Sequence, residues 1–358
     1  MTARAEPVAL PRQPVSTRVS RSRRSQRAPA IVIVVGIVVL AAFPALVGGG
    51  TTSTLVDVFV LLTAATMWNL LAGYAGLVSV GQQTFIGLGA YVVLVLAQWG
   101  MQPYLALPLA AIGCAVAAVP ISWLTLRLRG GYFAIATWVV ADAVQIAIGR
   151  IPSLGGGTGA ILPRIAGLDP ATRLAWTYWA ALAVAVISLA GAYWLLRGRL
   201  GLVLTALRDN ELGARSVGAD VGSAKRVVFL VAAAGCGAAG GLLLLSQLNV
   251  QAASVFGVQW SAKMIFVVII GGIGSIEGPI LGTIVFFVLQ TLLAPFGAWY
   301  FIVLGVVAIV VALWAPSGLW GAISKRTHLH PLPTGYWLWP TDQPAASPAE
   351  HAGGGAGG

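Results

Sequence analysis

"GLVSVGQQTFIGLGAYVVLVL" occupies residues 76–96. Most of it is apolar enough to sit in hydrocarbon, yet Ser79, Gln82, Gln83 and Thr84 stand beside Gly81, Gly87 and Gly89 within it. Amide and hydroxyl groups need hydrogen-bond partners in lipid, and a lined cavity inside a helix bundle supplies them. Glycines let helices bend or approach closely. The stretch therefore reads as a membrane segment that is either broken or re-entrant, with Ser79, Gln82, Gln83 and Thr84 as candidates for lining a solute pathway. A second small-residue run, "AAAGCGAAGGLLLL" at 232–245 with Gly237 and Gly241, reads as tight helix packing.

The rest of the chain has the same character. Of its 358 residues, 58% are hydrophobic and 9% are charged, which places it among integral membrane proteins. Apolar runs of spanning length fall near 31–47, 55–73, 77–98, 104–126, 132–149, 174–196, 226–246, 260–273, 279–295 and 299–316, the eighth of them short. The expected fold is all-α, a polytopic bundle of about 8–10 transmembrane helices. The first run has 17 residues, longer than the roughly 7–15 of a signal-peptide core, and reads as a retained span.

Charge sets the sides. The formal net charge is +11, and the cations lie at the chain ends and in loops between apolar runs, a pattern of topology and not of nucleic-acid binding. Residues 1–30 carry Arg4, Arg12, Arg18, Arg21, Arg23, Arg24 and Arg27 against Glu6 and read as a disordered cytoplasmic arm; 31–323 is the membrane domain; 324–358 is a second disordered tail. With the amino terminus inside, "RLRGG" at 127–131, the loop at 197–225 and "SKRTH" at 324–328 all fall on the cytoplasmic side.

No motif for catalysis is present: GxxxxGK[ST], HExxH and GxSxG are absent, and the three lysines are Lys225, Lys263 and Lys325. Cys114 and Cys236 stand alone in apolar runs and read as buried thiols, with no metal site implied. A chain that does not hydrolyse ATP draws on an ion gradient or on a partner. Asp142, with Gln145 on the same helical face three residues on, is the deepest charged candidate for a pathway or for ion coupling. A helix–helix hydrogen bond explains that pair equally well. Asp57 and Lys263 lie nearer span ends, where snorkelling or capping accounts for them.

The densest charge lies in "ALRDNELGARSVGADVGSAKRVVF", residues 206–229. It has no proline, Glu211 precedes Arg215 by four, and Gly218 suits a helix stop. A short helix outside the bilayer follows, with Leu207, Ala214 and Val217 on or near one face.

Several motifs in order carry a resemblance: "GLVSVGQQTFIGLGAYV", "LRLRGGYFAIATWVVADAVQ", "GLVLTALRDNELGARSVGADVGSAKRVVFLVAAAGCGAAGG", "KMIFVVIIGGIGSIEGPILG" and "GVVAIVVALWAPSGLWG". Over about residues 55–323 the chain resembles LivM-type permeases of branched-chain amino acid ABC importers. The resemblance implies that the charged loop is a coupling helix docking on an ATPase. Glu211, Ala214 and Gly218 match its EAA–G core, and Arg208, Asn210 and Arg215 flank it. It also implies a LivH-type partner permease, two ABC ATPase subunits that bind the ATP, an extracytoplasmic solute-binding protein and a bacterial cell membrane location, with no cofactor on this chain. Alternating access and no covalent chemistry is the implied mechanism. Gln83 and Thr84 stand where small apolar residues are more usual, so a urea or short-chain amide importer is one alternative and an ion-coupled carrier is another.

Overall fold

The computed structural model describes residues 17–20, 27–45, 48–162, 169–209, 211–216, 218, 220–293, 295, 299–314, 317–327 and 337–340. A short strand, β1 (Thr17–Ser20), precedes α1 (Arg27–Ala42), α2 (Gly49–Asn69), α3 (Gln83–Gln98), α4 (Pro103–Thr125) and α5 (Gly131–Gly149). Strand β2 (Ala160–Ile161) then leads to α6 (Pro170–Arg197), α7 (Arg199–Asp209), α8 (Glu211–Ser216) and α9 (Val221–Gln247). Strand β3 (Asn249–Val250), α10 (Ala252–Val255), α11 (Gln259–Gly271), α12 (Glu277–Leu293), α13 (Trp299–Trp314), α14 (Gly318–Thr327) and β4 (Trp337–Pro340) complete the order.

Helices dominate because a backbone in lipid must satisfy its own hydrogen bonds. Each of the ten apolar runs falls on a helix, but among the described residues six are long and apolar enough to cross a membrane alone. A seventh arises if α13 and α14, bent by 42°, count as one. The expected spans, about 8–10, are thus six or seven among the described residues by length and composition, with α3 and α12, of 16 and 17 residues, as shorter apolar helices. Starts are built locally: Pro170 opens α6 after the Asp169 cap, whose carboxylate accepts from Ala171 N at 3.1 Å, and Asp220 caps α9 by accepting from Ser223 N at 3.0 Å. The Asp220 cap holds its carboxyl below the ordinary value, chiefly through the Ser223 backbone N–H. This cap therefore contributes stability above the ordinary carboxylate range and loses it as pH falls through the lowered value.

The core is α2 and α9, buried over 83% and 72% of their spanning windows, against 17% for α5. Close approach depends on glycine. A Cβ on Gly89 would lie 2.0 Å from the Gly237 carbonyl oxygen, and one on Gly240 would lie 1.8 Å from that of Ile86, so α3 and α9 touch backbone to backbone. Cys114 of α4 is buried against Gly237. Phe229 packs edge-on to Phe85 at 5.7 Å and to Phe133 at 6.5 Å. Tyr178 and Trp179 of α6 hold α1 by donating to the carbonyls of Leu40 (2.6 Å) and Ala41 (3.0 Å). Lys263 lies 4.7 Å from the Trp260 ring centre and attracts Asp57.

Three boundaries differ from expectation. Helix α1 begins at Arg27 and α14 runs to Thr327, so each tail gives up a few residues to helix. Within the tails, β1 pairs antiparallel with β4, Thr17 opposite Pro340. The Gly-rich loop after α5 folds back so that Ala160–Ile161 pairs with Asn249–Val250.

Candidate functional site

The third run is interrupted as expected, and its break meets a second one that lies just before the eighth run. The end of α2 widens into a π turn over Leu70–Tyr74, the chain then runs without helix to Gly81, and α3 starts at Gln83. The eighth run lies in one helix, α11, which a break at residues 256–258 separates from the short α10 before it. Side chains from three helices hold the extended backbone between α2 and α3. Trp68 Nε1 donates to the Ser79 carbonyl (2.7 Å), Thr137 Oγ1 accepts from Val80 N (3.2 Å), and Ser261 Oγ donates toward the Val80 carbonyl (3.1 Å) and Gln83 Oε1. Gly81 is required because a Cβ there would lie 2.0 Å from the Thr137 carbonyl oxygen. Phe256, in the break between α10 and α11, fills the space beside Gly87 and stacks on Tyr91 at 6.1 Å.

Ser79, Gln82, Gln83 and Thr84 are fully enclosed in this junction. Ser79 Oγ accepts from Gly81 N at 3.2 Å. Both amide atoms of Gln82, Nε2 of Gln83 and Oγ1 of Thr84 have no hydrogen-bond partner. Buried polar groups are nearly always paired, and each orphan costs roughly 1–3 kcal/mol. Asp142 and Gln145 are elsewhere. Helix α5 turns Phe133, Thr137 and Ala141 toward the bundle, while Asp142 is exposed on a face shared with Ile135, Trp138, Val139 and Ile146, and Gln145 is half-buried. The six pathway candidates thus form two groups on opposite sides of α5. Ser261 and Thr137 were missed by the sequence reading, although each is a lone hydroxyl in an apolar run, the signal that marked Ser79 and Thr84.

The charged loop is two helices, α7 and α8, where one was expected. Leu204, Leu207 and Ala214 are buried, so the apolar face packs on this chain's own bundle. Gly218 has φ of +80°, a conformation glycine adopts without strain. Asn210 lies outside the described residues, and for Glu211 and Arg215 the helical backbone of α8 is described. Arg208, expected as a flanking contact, is exposed and also ties the loop to its own chain. Its Nη1 donates to the Gly73 carbonyl in the π turn at 3.2 Å and lies beside Gly274, where a Cβ would stand 2.5 Å away. Asn69 completes the tie by accepting from Gly274 N (2.9 Å) and donating to the Ser275 carbonyl (2.8 Å). The loop is thereby fastened to the same helix end that opens into the polar junction. Arg208→Gln is expected to leave the chain folded and inserted while loosening α7 from the π turn, read as faster amide hydrogen exchange over residues 199–209.

A bundle with interrupted helices around enclosed polar groups, and a charged helical loop at one end, defines a membrane transport permease. Residues 50–313 match the family described as the permease component of the branched-chain amino acid transport system, and the chain belongs to that family. It is a transport component, not an enzyme. The chain is 31% identical over 315 residues to the high-affinity branched-chain amino acid transport system permease protein LivM of Escherichia coli K12, covering 80% of this chain and 73% of that protein. The LivM protein of Salmonella typhimurium is 29% identical over 310 residues, covering 79% and 73%. A probable LivM permease of Methanocaldococcus jannaschii is 25% identical over 209 residues, covering 54% and 61%. No solved structure matches.

Proposed function

We propose that the chain is one of two membrane subunits of an ATP-driven importer of branched-chain amino acids. A LivH-type partner covers the exposed face of α5, two ATPase subunits dock on α7–α8, and an extracytoplasmic binding protein delivers the solute. The bundle end formed by the close of α4 and α6 and the start of α5 and α9 carries Arg127, Arg129, Arg197, Arg199, Lys225 and Arg226, and it is the cytoplasmic end by the positive-inside rule. With α1 as a further crossing, the amino terminus falls on that side as well. A charged side chain in mid-span does not face hydrocarbon, so Asp142 faces the partner subunit or the aqueous path between the two.

The observation that carries this reading is the set of unpaired polar groups where two interrupted helices meet. Their donors, the amide nitrogens of Gln82 and Gln83 and the Thr84 hydroxyl, suit the carboxylate of an amino acid, and Gln82 Oε1 suits its ammonium. The junction is closed in this structure. Opening it separates α5 from α3 at the Gly81–Thr137 contact, and α5, the least buried span, moves with the least loss of packing. ATP-driven closure of the docked subunits pulls on α7–α8, and the Arg208–Gly73 tie passes that motion to the end of α2.

Gln82→Met separates transport from packing. Removing two orphaned polar atoms at similar volume leaves stability unchanged or raises it by about 1–3 kcal/mol, while leucine uptake is lost. Normal uptake by this variant would place the solute path elsewhere.

A further inference from the structure

At the basic end, the last turn of α4 and the first turn of α9 enclose a cavity of about 360 Å³ lined by Ser122, Trp123, Arg127, Arg129, Lys225 and Arg226. The two helices run antiparallel, with Cys114 against Gly237 in mid-span, which brings Arg127 and Arg226 to one level. Arg127, Arg129 and Arg226 are exposed and Lys225 is half-buried, and like charges gathered around one opening repel each other and favour an anion there. Asp220 attracts Arg226 and also caps α9.

The position of the cavity says what anion reaches it. Val116, Val119, Trp123 and Arg127 recur three, seven and eleven residues along α4 and form one stripe. The first three are 64%, 51% and 66% exposed, and the Arg127 guanidinium lies 4.0 Å from the Trp123 ring centre. Outward valines, then a tryptophan, then a snorkelling arginine mark a helix leaving hydrocarbon through the headgroup layer. We propose that this cavity binds the phosphate headgroup of an anionic phospholipid whose acyl chains lie along Val116 and Val119. The guanidinium groups supply paired donors for phosphate oxygens, Lys225 supplies a further positive charge, and the valine stripe is complementary to lipid tails and to no soluble phosphate.

The test uses the full complex extracted from membranes, offered phosphatidylglycerol and phosphatidylcholine in equal amounts, with retained lipid counted by native mass spectrometry. Wild type retains phosphatidylglycerol selectively. The double variant Arg127→Gln, Arg226→Gln loses it at least about tenfold, whereas Lys325→Gln with Arg326→Gln, which removes the same formal charge from α14, retains it. Inorganic phosphate does not displace the lipid. Equal retention of both lipids by the wild type overturns the proposal without reference to any variant. Displacement by inorganic phosphate assigns the cavity to a free anion. Loss of co-purifying ATPase subunits with lipid retention unchanged assigns it to protein docking, and either result also overturns the proposal.

Discussion

Glu211→Arg is expected to strip the ATPase subunits from this chain while leaving it inserted in the membrane beside its partner. The expectation rests on where α8 stands. It is a single short helix, Glu211–Ser216, closed by the left-handed turn at Gly218 and seated on the bundle through Ala214. We propose, from the resemblance to other permeases of this family, that Glu211 is the acid of the docking motif. Reversing a charge at the centre of an interface leaves the partner's cation facing a like charge, a penalty of about 2–4 kcal/mol, or roughly thirty- to a thousandfold in affinity. Pull-down from detergent-solubilised membranes checks it: wild type brings down ATPase subunits and the variant does not. Recovery of those subunits with Glu211→Arg would remove α8 from the docking surface.

Gly89→Leu is expected to abolish the folded protein. The nearest atom to a Cβ at that position would be a backbone carbonyl oxygen, 2.0 Å away at Gly237, so no side-chain rotation relieves the clash. Helices α3 and α9 must separate along their shared length, which also loosens the Gly240–Ile86 contact and the Phe85–Phe229 pair. The penalty is on the order of 3 kcal/mol or more, since overpacking against backbone exceeds the usual cost in a deformable core. Gly191 of α6 has nothing within 4 Å of a Cβ, and Gly191→Leu is expected to be tolerated. Membrane levels and monodispersity of the two variants, compared by fluorescence-detected size exclusion, decide the matter. Comparable behaviour would mean that α3 and α9 do not pack at Gly89.

Much of this architecture could be read before any fold was seen, because a bilayer demands long apolar runs and those runs stand out. The interruption at the third was legible from glycines beside Gln82 and Gln83, whereas the break at 256–258 lies before the eighth run and was not. Which interruptions meet was not legible. Nothing local to "QWSAK" at 259–263 tells that Ser261 bonds Val80, since that contact is made by packing between segments far apart in sequence. The same holds for Arg208, whose charge suggested a partner and whose guanidinium also reaches Gly73 in its own chain. Asp142 and Gln145 share a helical face, as spacing required, but spacing alone does not say which way the face points.

The most direct measurement is uptake of radiolabelled leucine by proteoliposomes containing the assembled complex, with binding protein outside and ATP inside. The account predicts uptake that requires ATP, survives a protonophore that collapses ion gradients, and is lost with Gln82→Met. Uptake that proceeds without ATP and vanishes with the protonophore would contradict it.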